Sequence, residues 1–219
     1  MTDNLTWLAA FATVTVLVLY ELRLALAQRR SPERIARSAH ATLRQDWFAA
    51  ISAHEGTEIL AVQTLRNSLM SATMTASTAA LGLIGSVTLA APSLHVSFGE
   101  SAGMPSFTAR LALELVLMAL LFTSLVASVM AGRYYNHAGF IGAMPVHSDA
   151  RKRWTPAGSA YVRRAGILYS WGLRYLILVA PILAAIVHPA AGPVAAVLVV
   201  AVLHGFDRVG ASKPLQAER

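Results

Sequence analysis

The sequence predicts an all-α integral membrane protein: five transmembrane helices with the N-terminus outside and the C-terminus inside, plus an amphipathic helix on the cytoplasmic side. Three observations carry this. Of 219 residues, 56% are hydrophobic and only 13% charged, which is too apolar for a soluble domain of this length. Apolar runs recur at about 5–26, 69–90, 109–131, 168–187 and 193–207, most of them near the ~20 residues that cross a hydrocarbon core of about 30 Å. Basic residues, finally, gather in alternate connections between those runs.

The first run, Leu5 to Leu26, is interrupted by Thr13, Thr15, Tyr20, Glu21 and Arg23. No basic residue precedes it and no small-residue cleavage site follows it, so a retained helix is expected rather than a signal peptide. Next, Ser31 as N-cap with Pro32 behind it starts a cytoplasmic helix over about 32–55. Ile35, Ala39, Leu43, Trp47 and Ile51 recur along it every four residues, with Arg34, Arg37 and Arg44 largely on other faces. That stripe suits a helix lying on the membrane surface, or one packed against the bundle.

The second span belongs to a longer element. From Thr57 to Ala91 a single helix would exceed 50 Å at about 1.5 Å per residue, so its first turns extend into the cytoplasm. Gln63, Asn67, Ser71, Thr75, Thr78, Gly82 and Ser86 fall on one polar or small stripe of it. The third span carries Arg110 and Glu114 near its outer end, spaced for an i, i+4 ion pair. The fourth and fifth are separated by "HPAAGP", which reads as a tight turn. A four-span arrangement is the alternative, with 168–207 re-entrant or the first segment removed.

Charge orients the bundle. Arg29, Arg30, Arg34, Arg37 and Arg44 follow the first span; Arg133, Arg151, Lys152, Arg153, Arg163 and Arg164 lie between the third and fourth; 92–107 and 188–192 carry neither Lys nor Arg. By the positive-inside rule both basic connections are cytoplasmic, and so is the tail with Arg208 and Lys213. The expected location is the cytoplasmic (inner) membrane. In that orientation Glu21, Arg23, Arg66, Asn67, Arg133, Asn136, Arg174 and Asp207 all fall in the cytoplasmic half. Since a charge at the bilayer centre costs about 3 kcal/mol on insertion scales, Arg174 needs a partner. Either Arg66 or Arg174 is expected to pair with Asp207, with Glu21 the other carboxylate at that level.

Three stretches, "ILAVQTLRNSLMSATMTAST", "YYNHAGFIGAMP" and "GLRYLILVAPILAAIVHPAAGPVAAVLVVAVLHGFD", resemble the uncharacterised membrane family known as domain of unknown function 599. The resemblance covers much of residues 59–207, and "QTLRN" before a Ser/Thr-rich span is its most specific element. It implies a multi-span membrane protein with matching positions at Gln63, Arg66, Asn67, Asn136, Gly172, Arg174, Pro181 and Asp207, and brings no activity. The "AAIVHPAAGP" turn departs from the pattern by lacking a preceding aromatic residue.

Other signals carry little. Without cysteine there are no disulfides, thiolate metal sites or cysteine nucleophiles. "GESAG" around Ser101 matches a nucleophile elbow, but no strand pattern lies near it. "HEGTE" puts His54 and Glu58 on one helical face, two ligands where a metal needs three or four. His137 and His204 end spans without a ligand partner in the sequence. "ARKRW" at 150–154 adjoins a span and suits anionic lipid headgroups better than nucleic acid. No Walker-type glycine loop is present. The expectation is therefore no enzyme, no cofactor, no metal and no nucleic-acid partner.

Two functions remain. One is an oligomeric channel or passive transporter for a small ion, favouring an anion, with a cytoplasmic vestibule and pathway built from Gln63, Arg66, Asn67, Ser71, Thr75, Asn136, Arg174 and Asp207. The other is a non-catalytic accessory or scaffold subunit in which those residues only clasp helices together. Either way the partners are the bilayer, anionic lipid headgroups and further copies of the chain.

Overall fold

An apolar chain must satisfy its backbone N–H and C=O groups within its own elements. A computed structural model, which describes residues 2–30, 36–98 and 107–207, does so with helices almost throughout. The order is α1 (Thr2–Arg30), α2 (Ala36–Ile51), α3 (Glu58–Phe98), α4 (Ala109–Gly142), α5 (Asp149–Val187) and α6 (Ala191–Asp207). Among the described residues α1, α3, α4 and α5 are long and apolar enough to cross a membrane, and α6 is a shorter apolar helix. The Ser31–Pro32 helix start, the "GESAG" motif, and Arg208 and Lys213 lie outside the described residues.

Each expected span falls inside one helix, but the basic connection between the third and fourth does not exist as a loop. Helix α4 continues to Gly142 and α5 starts at Asp149, leaving only residues 143–148 between them. Thr108 accepts from the Leu111 N–H and Ser148 from the Arg151 N–H, capping both helix starts. At the other end of α5, residues 188–190 make the tight turn, with the Ala191 N–H donating to the His188 carbonyl at 2.9 Å.

Running three helices past the expected span ends divides the interior into two layers. In the first, α1, α4, α5 and α6 bury Ala10, Leu17, Leu113, Leu117, Leu121, Leu178, Ile182, Ala196 and Leu203 around one core. In the second, α2 joins the extended ends of α3, α4 and α5, burying Phe48, Ile51, Ala61, Leu65, Tyr135, Ile141, Val162 and Ala165. The exteriors differ as well. The first layer exposes Phe11, Leu19, Leu81, Ile84, Phe122, Val197 and Val202, whereas the second exposes Arg66, Arg133, Lys152, Arg153, Arg163 and Arg164.

Helix α2 corrects the expected stripe. Its buried face is Arg37, Ala41, Phe48 and Ile51, while Leu43 is exposed. The helix is rotated because it packs on α5, whose glycines admit bulky neighbours: a Cβ at Gly158 would collide with the Phe48 ring, and one at Gly166 would stand 2.5 Å from the Arg44 guanidinium. Arginine stems count as apolar surface in such a contact. Gly56, at φ +78°, then turns the chain from α2 toward α3 in a conformation that favours glycine.

The α4–α5 contact is closest at Gly172, where an added Cβ would collide with Ser128 Oγ and stand 3.3 Å from the Ser124 backbone oxygen. The Ser124 hydroxyl donates to the Gly172 carbonyl at 2.7 Å, fixing the two helices in register. Gly172→Ala should therefore cost about 1–3 kcal/mol as an overpacking change. Adding Ser128→Ala removes the worst clash and should recover most of the loss. Thermal unfolding of both variants in detergent measures this; a single variant as stable as the parent would refute the close approach.

Candidate functional site

The two layers meet at a cluster of charge. Arg174 of α5 lies between the last second-layer residues of its helix and the first of the first-layer ones, and only 4% of it is exposed. Its Nε donates to Glu21 Oε1 of α1. Its Nη1 donates to both carboxylate oxygens of Asp207 at the end of α6, at 3.0 and 2.8 Å. The Tyr20 hydroxyl donates to Asp207 Oδ2 at 2.6 Å, and the Tyr20 ring lies 5.1 Å from the Arg174 guanidinium carbon. One guanidinium thus ties three helices, using the planar fork that suits arginine for bidentate pairing.

A second guanidinium approaches from α2. Arg37 is 6% exposed; its Nε donates to Ser170 Oγ at 3.3 Å and its guanidinium carbon lies 4.1 Å from the centre of the Trp171 ring. Burial pulls the Arg37 guanidinium below its ordinary pKa, and the positive charge of Arg174 adds to the pull. Arg37 Nη1 and Arg174 Nη2 are buried with no hydrogen-bond partner among the described residues. Two cations here face two carboxylates, so the cluster is balanced in charge but not in hydrogen bonding.

Of the expected pairings with Asp207, Arg174 makes it and Arg66 does not. Gln63, Arg66, Asn67, Ser71 and Asn136 are exposed on the surfaces of α3 and α4, away from the cluster. Thr75 is buried, but its hydroxyl donates to the Ser71 carbonyl of its own helix at 3.0 Å. The same back-bonding satisfies Ser71 onto Asn67, Thr78 onto Met74 and Ser86 onto Gly82. The vestibule expected from eight residues therefore separates into a clasp containing Arg174 and Asp207 and a surface group of Gln63, Arg66, Asn67 and Ser71 on α3 with Asn136 on α4, while Thr75 is buried. Within one chain the two are not joined.

Arg37 is the residue that sequence reasoning missed. The legible signal was the spacing Arg37, Ala41, Arg44, Phe48 and Ile51, a helical stripe once arginine stems are allowed on a packed face. The Arg110–Glu114 pair forms at 2.9 Å, with Glu114 buried. His54 contacts the Ala50 carbonyl at 2.9 Å, and Glu58 accepts from the Val146 N–H at 3.3 Å. His137 packs on Tyr161 and His204 on Tyr20. Among the described residues no group of three His, Asp or Glu side chains is placed to hold a metal.

Two clefts complete the picture. One, of about 370 Å³, runs between α1, α4 and α5 along Val14, Val18, Leu22, Val116, Leu120, Leu178 and Ile182, with Glu21, Trp171 and Tyr175 at one end. The other, of about 310 Å³, lies between α3, α4 and α5 beside Thr78, Gly85 and Ser86. A family model described as a protein of unknown function, DUF599, matches residues 8–212. No curated protein and no solved structure matches the chain.

Proposed function

The chain belongs to the DUF599 family of proteins of unknown function, and from that premise we propose that it is a five-span protein of the cytoplasmic membrane that works as an assembly of copies and passes a small anion. The supporting pattern is the asymmetry of its exterior: apolar around the first layer, whereas around the second Arg66, Arg133, Lys152, Arg153, Arg163 and Arg164 are exposed among apolar side chains such as Ile59 and Phe140. Placing the basic layer in the cytoplasm puts the N-terminus outside and the C-terminus inside. Helix α6, at 17 residues, then reaches about 25 Å, to the inner edge of the hydrocarbon. Exposed Lys152 and Arg153 meet anionic headgroups in that orientation, and no role calls for a catalytic group, a cofactor or nucleic acid.

The observation that carries the conduit is the exposed stripe of α3. Gln63, Asn67, Ser71 and Thr78 are exposed from the second layer into the first, on a face that no other helix among the described residues covers, with exposed Arg66 near its cytoplasmic end. Small and hydroxylated residues allow close helix approach in a bilayer, so copies gathered about this face would surround a polar path with a ring of Arg66 at its mouth. A specific observation also favours the scaffold reading: the Ser71, Thr75 and Thr78 hydroxyls already donate to their own helix, as suits a dry contact between copies or with another subunit.

Flux measurement separates the two. Purified, assembled protein in vesicles should pass a small anion, and Arg66→Glu should reduce that flux at least roughly tenfold while leaving assembly intact. Wild-type protein that assembles and moves no anion tested would overturn the conduit and leave the scaffold.

A further inference from the structure

We propose that the cleft between α1, α4 and α5 binds a neutral lipid alcohol, its single aliphatic tail along the walls and its hydroxyl head donating to Glu21. This rests on the membrane placement proposed above. The cleft spans Val14 to Ala25 on α1 and Trp171 to Ile182 on α5. Each interval is eleven steps, about 16 Å at 1.5 Å per residue, or roughly the depth of one leaflet. Its walls are aliphatic, and Val18 and Leu22 on its rim are exposed. It therefore opens sideways, where lipid is. Its volume of about 370 Å³ is that of a small-molecule site, in which apolar walls are combined with a few polar groups that fix orientation.

Glu21 selects the head. Among the described residues it is the one charged side chain lining the cleft, and it remains 22% exposed. Arg174 Nε donates to its Oε1, and a carboxylate has acceptor capacity beyond one such bond. The charge of the ligand follows from the cluster behind Glu21, where two guanidiniums already face two carboxylates. An anionic head would meet the Glu21 carboxylate first and be repelled. A cationic head would add an uncompensated charge beside buried Arg37 and Arg174. Trp171 offers that cation no free ring, since it already carries the Arg37 guanidinium at 4.1 Å and stacks on Tyr175 with ring centres 5.4 Å apart. A hydroxyl avoids both costs: it is neutral, and its O–H makes a charge-assisted hydrogen bond to a carboxylate. Trp171 and Tyr175 line the same end as Glu21, and such residues mark the level of lipid headgroups. A lipid alcohol with its tail in the cleft brings its head to that level.

The test is photolabelling of the protein in phosphatidylcholine vesicles with a long-chain alcohol that carries a diazirine on its tail, the adducts being mapped by peptide mass spectrometry. Labelling should fall on cleft residues such as Leu22, Val116 and Leu120. Dodecanol should displace the label. Its methyl ether, which cannot donate, and the matched acid and amine, dodecanoate and dodecylamine, should each need roughly tenfold more at equal bilayer concentration, the worth of one hydrogen bond to a charged group. Val116→Trp, which fills the cleft, and Leu22→Trp, which closes its rim, should each cut labelling by roughly tenfold or more. Leu22 is exposed, so its variant carries the test if Val116→Trp fails to fold. Absence of label from the cleft, label that persists in a folded Trp variant, or an ether, acid or amine that displaces as well as the alcohol overturns the proposal. Insertion into the vesicles is scored separately, so a chain that inserts and takes no label refutes this site and not the membrane placement.

Discussion

Replacing Arg174 by Leu should destabilise the protein by about 3–5 kcal/mol, because it leaves the half-buried carboxylates of Glu21 and Asp207 together without their cation. The Arg174 guanidinium donates to both carboxylates, and Asp207 ends the helix it anchors. The loss should appear as a fall of roughly 10 °C or more in the unfolding midpoint in detergent, with α6 the first element open to hydrogen exchange. Lysine at 174 should rescue only part of it, since an ammonium cannot span two carboxylates with a planar fork. The triple change Glu21→Gln, Arg174→Leu, Asp207→Asn should recover only part of the stability: it removes Arg174 together with both of its carboxylates, and the amide oxygen introduced at 207 still accepts the Tyr20 hydroxyl, but buried Arg37 is left without an opposite charge. If Arg174→Leu alone shifts stability by less than about 1 kcal/mol, the cluster is hydrated and the account of it as a buried clasp fails.

That clasp shows what hydropathy and charge can reveal and where they stop. A buried arginine within an apolar run demands a partner, and orientation brought Glu21 and Asp207 to the same depth, so the Arg174 pairing was readable. Arg66 looked equivalent by the same argument. It differs because α3 packs only along its Ala61, Leu65, Ala72 and Ala79 side, and the phase of a helix about its axis depends on neighbours that a single sequence does not specify. The second layer was hidden for a related reason. Residues 149–167 carry too many charges to read as a span, and 132–142, with Arg133, Asn136 and His137, are too short and polar to extend one, yet both continue as helix because α2 supplies an apolar partner for their inner faces. Hydropathy finds helices that bury themselves in lipid; those that bury themselves in one another need the periodicity of the partner too.

Arg151 is what closes that second layer, and Arg151→Met should loosen it by about 3 kcal/mol. The side chain is 1% exposed and reaches from α5 to α4, to the connection after it and to the residue that follows α2. Nη1 donates to the Ile141 carbonyl at the end of α4 and, at 3.4 Å, to Met144; Nη2 donates to Ser52 Oγ beyond α2 at 2.9 Å. Its guanidinium also lies 5.4 Å from the Phe48 ring. Burial holds the group below its ordinary pKa, with Glu58 opposing the shift. Methionine keeps a stem against Phe48 but removes the bonds that tie α4 and Ser52 to α5, leaving the Ile141 carbonyl only its local Met144 N–H and Ser52 only its bond to the Phe48 carbonyl, so limited proteolysis should begin at residues 52–57 and 143–148. Lysine should not rescue, because one ammonium cannot reach Ile141 and Ser52 together. Along α5, Arg151 and Arg174 are separated by about 35 Å at 1.5 Å per residue, with no shared partner. The Arg151→Met, Arg174→Leu double variant should therefore lose the sum of the single losses within about 0.5 kcal/mol. A larger departure would mean that strain passes along α5 between the second layer and the clasp, making the helix itself the connection between them.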